Sequence, residues 1–148
     1  MSRAFKIYFG LFLSLMLSAV VQAAEHKIKM LNSGPDGKMV FEPAVLEVKV
    51  GDTVTFLPMD AEHDSISVLT PPGANTWHGR RNQQISVVIN KEGVYIYKCA
   101  PHYYLGMVGV IKAGAATNLS EAQQVAEKMS RRFVMNKDRL LKYMENIQ

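Results

Sequence analysis

Nine consecutive residues, Cys99-Ala100-Pro101-His102-Tyr103-Tyr104-Leu105-Gly106-Met107, place a thiol, an imidazole and a thioether in one short stretch. A loop can wrap such groups around a single ion, because it is free of the two-residue alternation of a strand. Soft sulfur donors with imidazole suit copper. Two imidazoles and a thiolate in a plane, with a long axial thioether, make the copper arrangement used for electron transfer. The stretch supplies Cys99, His102 and Met107, so one more histidine is needed. The chain has four histidines. His26 lies close to the start of the exported chain, and His78 sits in a loop before Gly79-Arg80-Arg81. His63 falls between two strand-like segments, where it can reach the end of a sandwich, and is the best candidate.

Rival uses of these residues fit less well. A Cys–His nucleophilic pair would leave Met107 idle, and no orienting acid is evident beside Cys99 and His102. Zinc sites take cysteine, histidine and carboxylate rather than methionine. A catalytic multicopper cluster needs many more histidines than four, so the expectation is an electron carrier and not an enzyme. Cys99 is the single cysteine. It cannot form an internal disulfide, and a metal is its natural occupant in an oxidising compartment. Pro101 has no N–H and cannot donate a hydrogen bond to the Cys99 sulfur.

The flanking segments read as strands. His26 to Leu31 alternates, Val45 to Val50 is rich in β-branched residues, and Thr53 to Leu57 follows the turn Gly51-Asp52, a hairpin signal. Ile66 to Leu69, Gln84 to Ile89, Val94 to Lys98 and Val108 to Lys112 continue the series. Seven or eight short strands at this spacing indicate an all-β sandwich. The character changes at Gly114. Asn118 or Ser120 can cap a helix, and Asn118-x-x-Glu121 or Ser120-x-x-Gln123 resembles a capping box. Val125 and Met129 share a helical face, and a second helix is expected over 136–146 with Leu140, Leu141 and Met144 apolar. Strands followed by helices suggest a sandwich carrying a helical appendage.

Residues 1–23 read as a secretory signal peptide: Arg3 and Lys6, an uncharged apolar run from Ile7 to Val21, then Val21-Gln22-Ala23 at the cleavage position. The expected organisation is a signal peptide over 1–23, the sandwich over 24–115 and the helical extension over 116–148. The net charge of +4 falls to +2 without Arg3 and Lys6. Residues 24–115 hold nine basic and nine acidic residues, so the excess lies in the tail. Basic residues on a helix usually form a solvated face, and no nucleic-acid partner is expected. No membrane association is expected after cleavage either, since no other segment is long and apolar enough to span.

Several segments resemble the cupredoxins, the blue-copper family, and within it the pseudoazurin group. They are Met30-Leu31-Asn32, Met39-Val40-Phe41-Glu42-Pro43, Gly51-Asp52-Thr53-Val54-Thr55-Phe56, Gly93-Val94-Tyr95, and Cys99-Ala100-Pro101-His102-Tyr103 leading to Gly106-Met107-Val108-Gly109. The resemblance implies a Greek-key β-sandwich with a C-terminal two-helix appendage. It also implies one type 1 copper ion per monomer on His63, Cys99, His102 and Met107. It further implies a periplasmic electron shuttle serving transient redox partners, an upstream donor and a copper nitrite reductase or similar respiratory acceptor. His102 would be the electron door, ringed by Pro101, Tyr103, Tyr104 and Leu105. Donation to an amine dehydrogenase or an oxidase is another option. The alternative function is a periplasmic copper carrier or storage protein. Two departures from the family stand out. Asp64 occupies a position usually held by asparagine. Lys98 is kept, but Ser33, Ala61 and Glu62 stand where lysine or a neutral residue is common, so either steering toward an acidic partner is weaker here or the partner differs.

Overall fold

Strand propensity and alternation carry most of the chain into two sheets. The computed structural model describes residues 22–148, so all but the end of the expected signal peptide lies outside the described residues. The strands are β1 (Glu25–Gly34), β2 (Gly37–Glu42), β3 (Val45–Val48), β4 (Thr53–Pro58), β5 (Ile66–Leu69), β6 (Ile85–Val88), β7 (Gly93–Lys98) and β8 (Val108–Ala113). Two helices follow, α1 (Leu119–Ser130) and α2 (Arg139–Glu145). One sheet runs β2-β1-β4-β6 and the other β3-β8-β7-β5. The β1–β4 and β3–β8 pairs are parallel and the others antiparallel. This is the Greek-key sandwich with a two-helix appendage that the sequence led us to expect. The strand β2 was not singled out there.

One local expectation fails. Val45–Val50 and Thr53–Leu57 do not form a hairpin, because β3 pairs with β8 and β4 pairs with β1 and β6. Gly51, at φ 99°, instead turns the chain from one sheet to the other. Turn residues report that the chain reverses, not which sheet receives the next strand.

The strand β7 shows how one segment serves two layers. Its successive side chains point to opposite faces. Tyr95 and Tyr97 enter the space between the sheets, with Phe41, Phe56, Trp77 and Ile111. Val94 and Ile96 face the other way, where Val108 and Val110 join Ala122, Ala126, Met129, Leu140 and Met144 of the helices. Both faces are buried, so the strand is apolar throughout. Each wholly buried large side chain, such as Leu140, contributes about 1.5–3 kcal/mol, which holds the helices to the second sheet. Leu141, expected among the apolar residues of α2, is 37% exposed. Asn118 precedes α1 but its side chain caps no helix amide. It accepts from Val94 N–H at 2.7 Å and donates to Val94 C=O at 3.0 Å, tying the helix start to β7.

Candidate metal centre

Register brings the two candidate loops together. In the β5–β7 pair, Ile66 lies opposite Lys98. The residues just before β5, including His63, therefore meet those just after β7, beginning with Cys99. The β7–β8 loop folds through a 3-10 turn at Tyr103–Leu105, and Gly106 follows at φ 77°. A Cβ there would be strained, and would sit 3.1 Å from Asn136 Cβ. The loop is tied to itself by its main chain. Cys99 N–H donates to Met107 C=O at 3.0 Å, and Met107 N–H donates to His102 C=O at 3.2 Å.

The side chains converge. His63 Nδ1 and His102 Nδ1 are 3.1 Å apart, and Cys99 Sγ lies 3.7 Å and 3.6 Å from them. A point in the plane of these three atoms is about 2.0 Å from each, close to the metal–nitrogen bond length of first-row ions; a thiolate bond nearer 2.3 Å would displace the ion only slightly. His63 Nε2 lies 3.0 Å from Asn32 Oδ1. The amide oxygen can only accept, so it places the ring proton on Nε2 and leaves the Nδ1 lone pair facing Cys99. The donor set thus fits one soft-to-borderline ion. Met107 is wholly buried in the same apolar cluster as Cys99. His26 and His78 lie away from this centre: His26 pairs with Asp52 at 2.8 Å, and exposed His78 bridges Ile66.

Burial dominates the electrostatics. His63 is 0% exposed, and desolvation, then repulsion from His102, pulls its pKa below the usual histidine value. Neutral imidazole, the form that ligates, is therefore favoured. Burial pushes the Cys99 thiol up to about 11, against the opposing pull of the Asp64 and His102 backbone amides. A metal that takes Cys99 must displace its proton. Asp64 bridges the two ligand loops by accepting from Ala100 N–H at 2.6 Å. That bond needs only an acceptor, which aspartate supplies as well as asparagine.

His102 alone of the four candidate ligands is partly exposed. Around it the two tyrosines divide their tasks. Tyr104 is 57% exposed. Tyr103 is half-buried, edge-on to Phe133 at 5.5 Å between centroids, with Lys98 Nζ 4.7 Å from its ring centre. Sequence reasoning missed three residues that hydrogen-bond to a candidate ligand or its loop: Asn32 on His63, and Asn136 and Arg139 on the Leu105 and Gly106 carbonyls. Asn32 stood out only as part of a family-like segment. Asn136 and Arg139 carried no signal.

The model of the copper binding proteins of the plastocyanin/azurin family matches residues 28–114. A pseudoazurin of Methylorubrum extorquens is 42% identical over 118 residues, which cover 76% of this chain and 80% of the relative. The pseudoazurin of Paracoccus pantotrophus is 36% identical over 115 residues, with 76% and 79% covered. Among solved structures, the pseudoazurin of Methylobacterium extorquens AM1 superimposes with a TM-score of 0.76 at 39% identity, covering 84% of this chain and 99% of that one.

Proposed function

This chain belongs to the plastocyanin/azurin family of copper-binding proteins, and from that premise we propose that it is a periplasmic shuttle of single electrons to a respiratory redox enzyme such as a copper nitrite reductase. It is a blue-copper electron-transfer protein of the pseudoazurin kind, with copper as its cofactor. The ligands in this reading are His63, Cys99, His102 and Met107. Copper, when bound, supplies a one-electron couple. The protein supplies the rest. The sandwich holds His63 and Cys99 at one separation, and the loop hydrogen bonds hold Met107 and His102 to Cys99, so the donor atoms need little rearrangement when the charge changes. Complete burial of His63, Cys99 and Met107 keeps water away.

The observation that carries the reading is the convergence of three donor atoms at 3.1–3.7 Å with only His102 reaching solvent. Electrons would then enter and leave at the His102 edge, against an apolar rim that includes exposed Tyr104. A carrier that hands over the metal itself would need ligands that open easily, and three of these four are fully buried.

The domain assignment belongs to the same proposal: removal of residues 1–23, a sandwich over 24–115 and an extension over 116–148. Cleavage after Ala23 is supported by Asp52, whose Oδ1 lies 2.9 Å from Ala24 N. A new α-ammonium there would meet a carboxylate. Among the described residues no helix is long and apolar enough to cross a membrane. The mature chain is proposed to act as a monomer, without nucleic acid and without turning over a substrate.

Two measurements test this. The Cu(II)-loaded protein should show an intense thiolate-to-copper band and narrow copper hyperfine splitting in EPR. Pale, tetragonal copper signals would reject the ligand set. Stopped-flow mixing of the reduced protein with a copper nitrite reductase should then give salt-dependent electron transfer. No transfer to that enzyme would remove it as the partner and leave the ligand set intact.

A further inference from the structure

The C-terminal extension does more than cover a sheet. Three consecutive carbonyls of the metal loop, those immediately before Met107, are each held by the segment 134–139. Val134 N–H donates to Tyr104 C=O at 2.8 Å, Asn136 Nδ2 to Leu105 C=O at 2.9 Å, and Arg139 Nη1 to Gly106 C=O at 3.0 Å. Arg139 is only 6% exposed. Its guanidinium also donates to Met39, Asp36 and Lys38 C=O at 2.9–3.1 Å, and it makes no ion pair with a carboxylate among the described residues. A buried charge is costly unless it is fully hydrogen-bonded. A side chain present for packing alone need carry none.

We propose that residues 134–139 form a clamp on the copper loop, in which Asn136 and Arg139 are positioning residues that set how Met107 is presented to the metal. The proposal rests on reading Met107 as the axial ligand. The peptide plane joining Gly106 to Met107 is gripped at both ends, its oxygen by Arg139 and its N–H by His102 C=O. Peptide planarity then fixes the Met107 N–Cα bond, and the hydrogen bond from Cys99 N–H to Met107 C=O restrains the remaining rotation, so together they set the direction in which the Met107 side chain leaves. This grip acts on the ligand that copper would hold most weakly. Thiolate and imidazole would be drawn to the ion by their own bonds, whereas a thioether would bind too weakly to move its own backbone. The scaffold would therefore decide how near Met107 comes to the metal, and the C-terminal segment is the scaffold at that point.

The test uses two variants of the Cu(II)-loaded protein. Asn136→Gly removes the donor to Leu105 without strain, because Asn136 already sits at φ 50°. Arg139→Lys keeps the positive charge but cannot span four carbonyls. Both should shift the ratio of the two thiolate-to-copper absorption bands, the EPR rhombicity and the reduction potential, and both should lower copper affinity by about tenfold. In the copper-free protein, amide exchange should quicken at residues 104–107. Variants that melt earlier yet keep the wild-type band ratio and potential would overturn the clamp and leave these residues a purely structural role. A band ratio unmoved by Met107→Leu would overturn it differently, by removing Met107 as a ligand.

Discussion

Asn32 offers a sharp test of how the protein holds its metal. On the proposed ligand set His63 would bind through Nδ1, so its proton would stay on Nε2, where its acceptor is Asn32 Oδ1 at 3.0 Å. Asn32→Ala removes that acceptor. A buried N–H left unpaired costs about 1–3 kcal/mol, equivalent to about 5- to 150-fold in a binding constant. His63 is fully buried but Asn32 is exposed, so water can reach part of the gap and the lower half of the range applies. Copper affinity should fall by about tenfold, at the low end of what outer partners of metal-bound histidines contribute. The copper-free protein should lose less, because its His63 proton can move to Nδ1. Competition against a chromophoric chelator, with thermal melts of the copper-free forms, separates the two effects. Asn32→Asp keeps an acceptor and should retain affinity. Equal affinity for wild type and Asn32→Ala would refute the argument that this hydrogen bond orients the ligand.

Three further outcomes are expected. At about pH 8, where the buried Cys99 thiol (about 11 before metal) is protonated and His63 is neutral, copper uptake should release roughly one proton from Cys99; a pH-stat titration that finds none would contradict this. Asp52 is held down to about 2 from 3.8 by hydrogen bonds from the backbone nitrogens of Lys49 and Ala24 and by His26. Its depressed value stabilises the fold fully above about pH 4, and this contribution is lost as pH falls through about 2. Asp52→Asn should therefore lower the melting temperature near neutrality and flatten its acid dependence, and parallel melting curves for the two forms would count against it. Asp64→Asn keeps the acceptor for Ala100 N–H but replaces a carboxyl group with a neutral amide. The reduction potential should rise in voltammetry, and an unchanged or lower value would make Asp64 a bystander.

What could be read from residue order was whatever local chemistry dictates. The thiol, imidazole and thioether of Cys99, His102 and Met107 share one loop, so their types and spacing announce soft-metal binding with no fold in view. The strands announce themselves by alternation, and β7 and β8 by unbroken apolar runs that only two buried faces explain. Pairing is another matter, because it depends on partners far away in the chain. The turn at Gly51-Asp52 looks like a hairpin but joins different sheets. His63 was chosen by its place between strands, yet only the register that sets Ile66 opposite Lys98 brings it to Cys99. Asn32, 31 residues before His63, and Arg139, 33 residues after Gly106, act through hydrogen bonds across such distances. A side chain's partners at that range are set by how layers stack, which no local pattern encodes. The donor types were therefore legible from the start, while the geometry that makes them one site belongs to the tertiary structure.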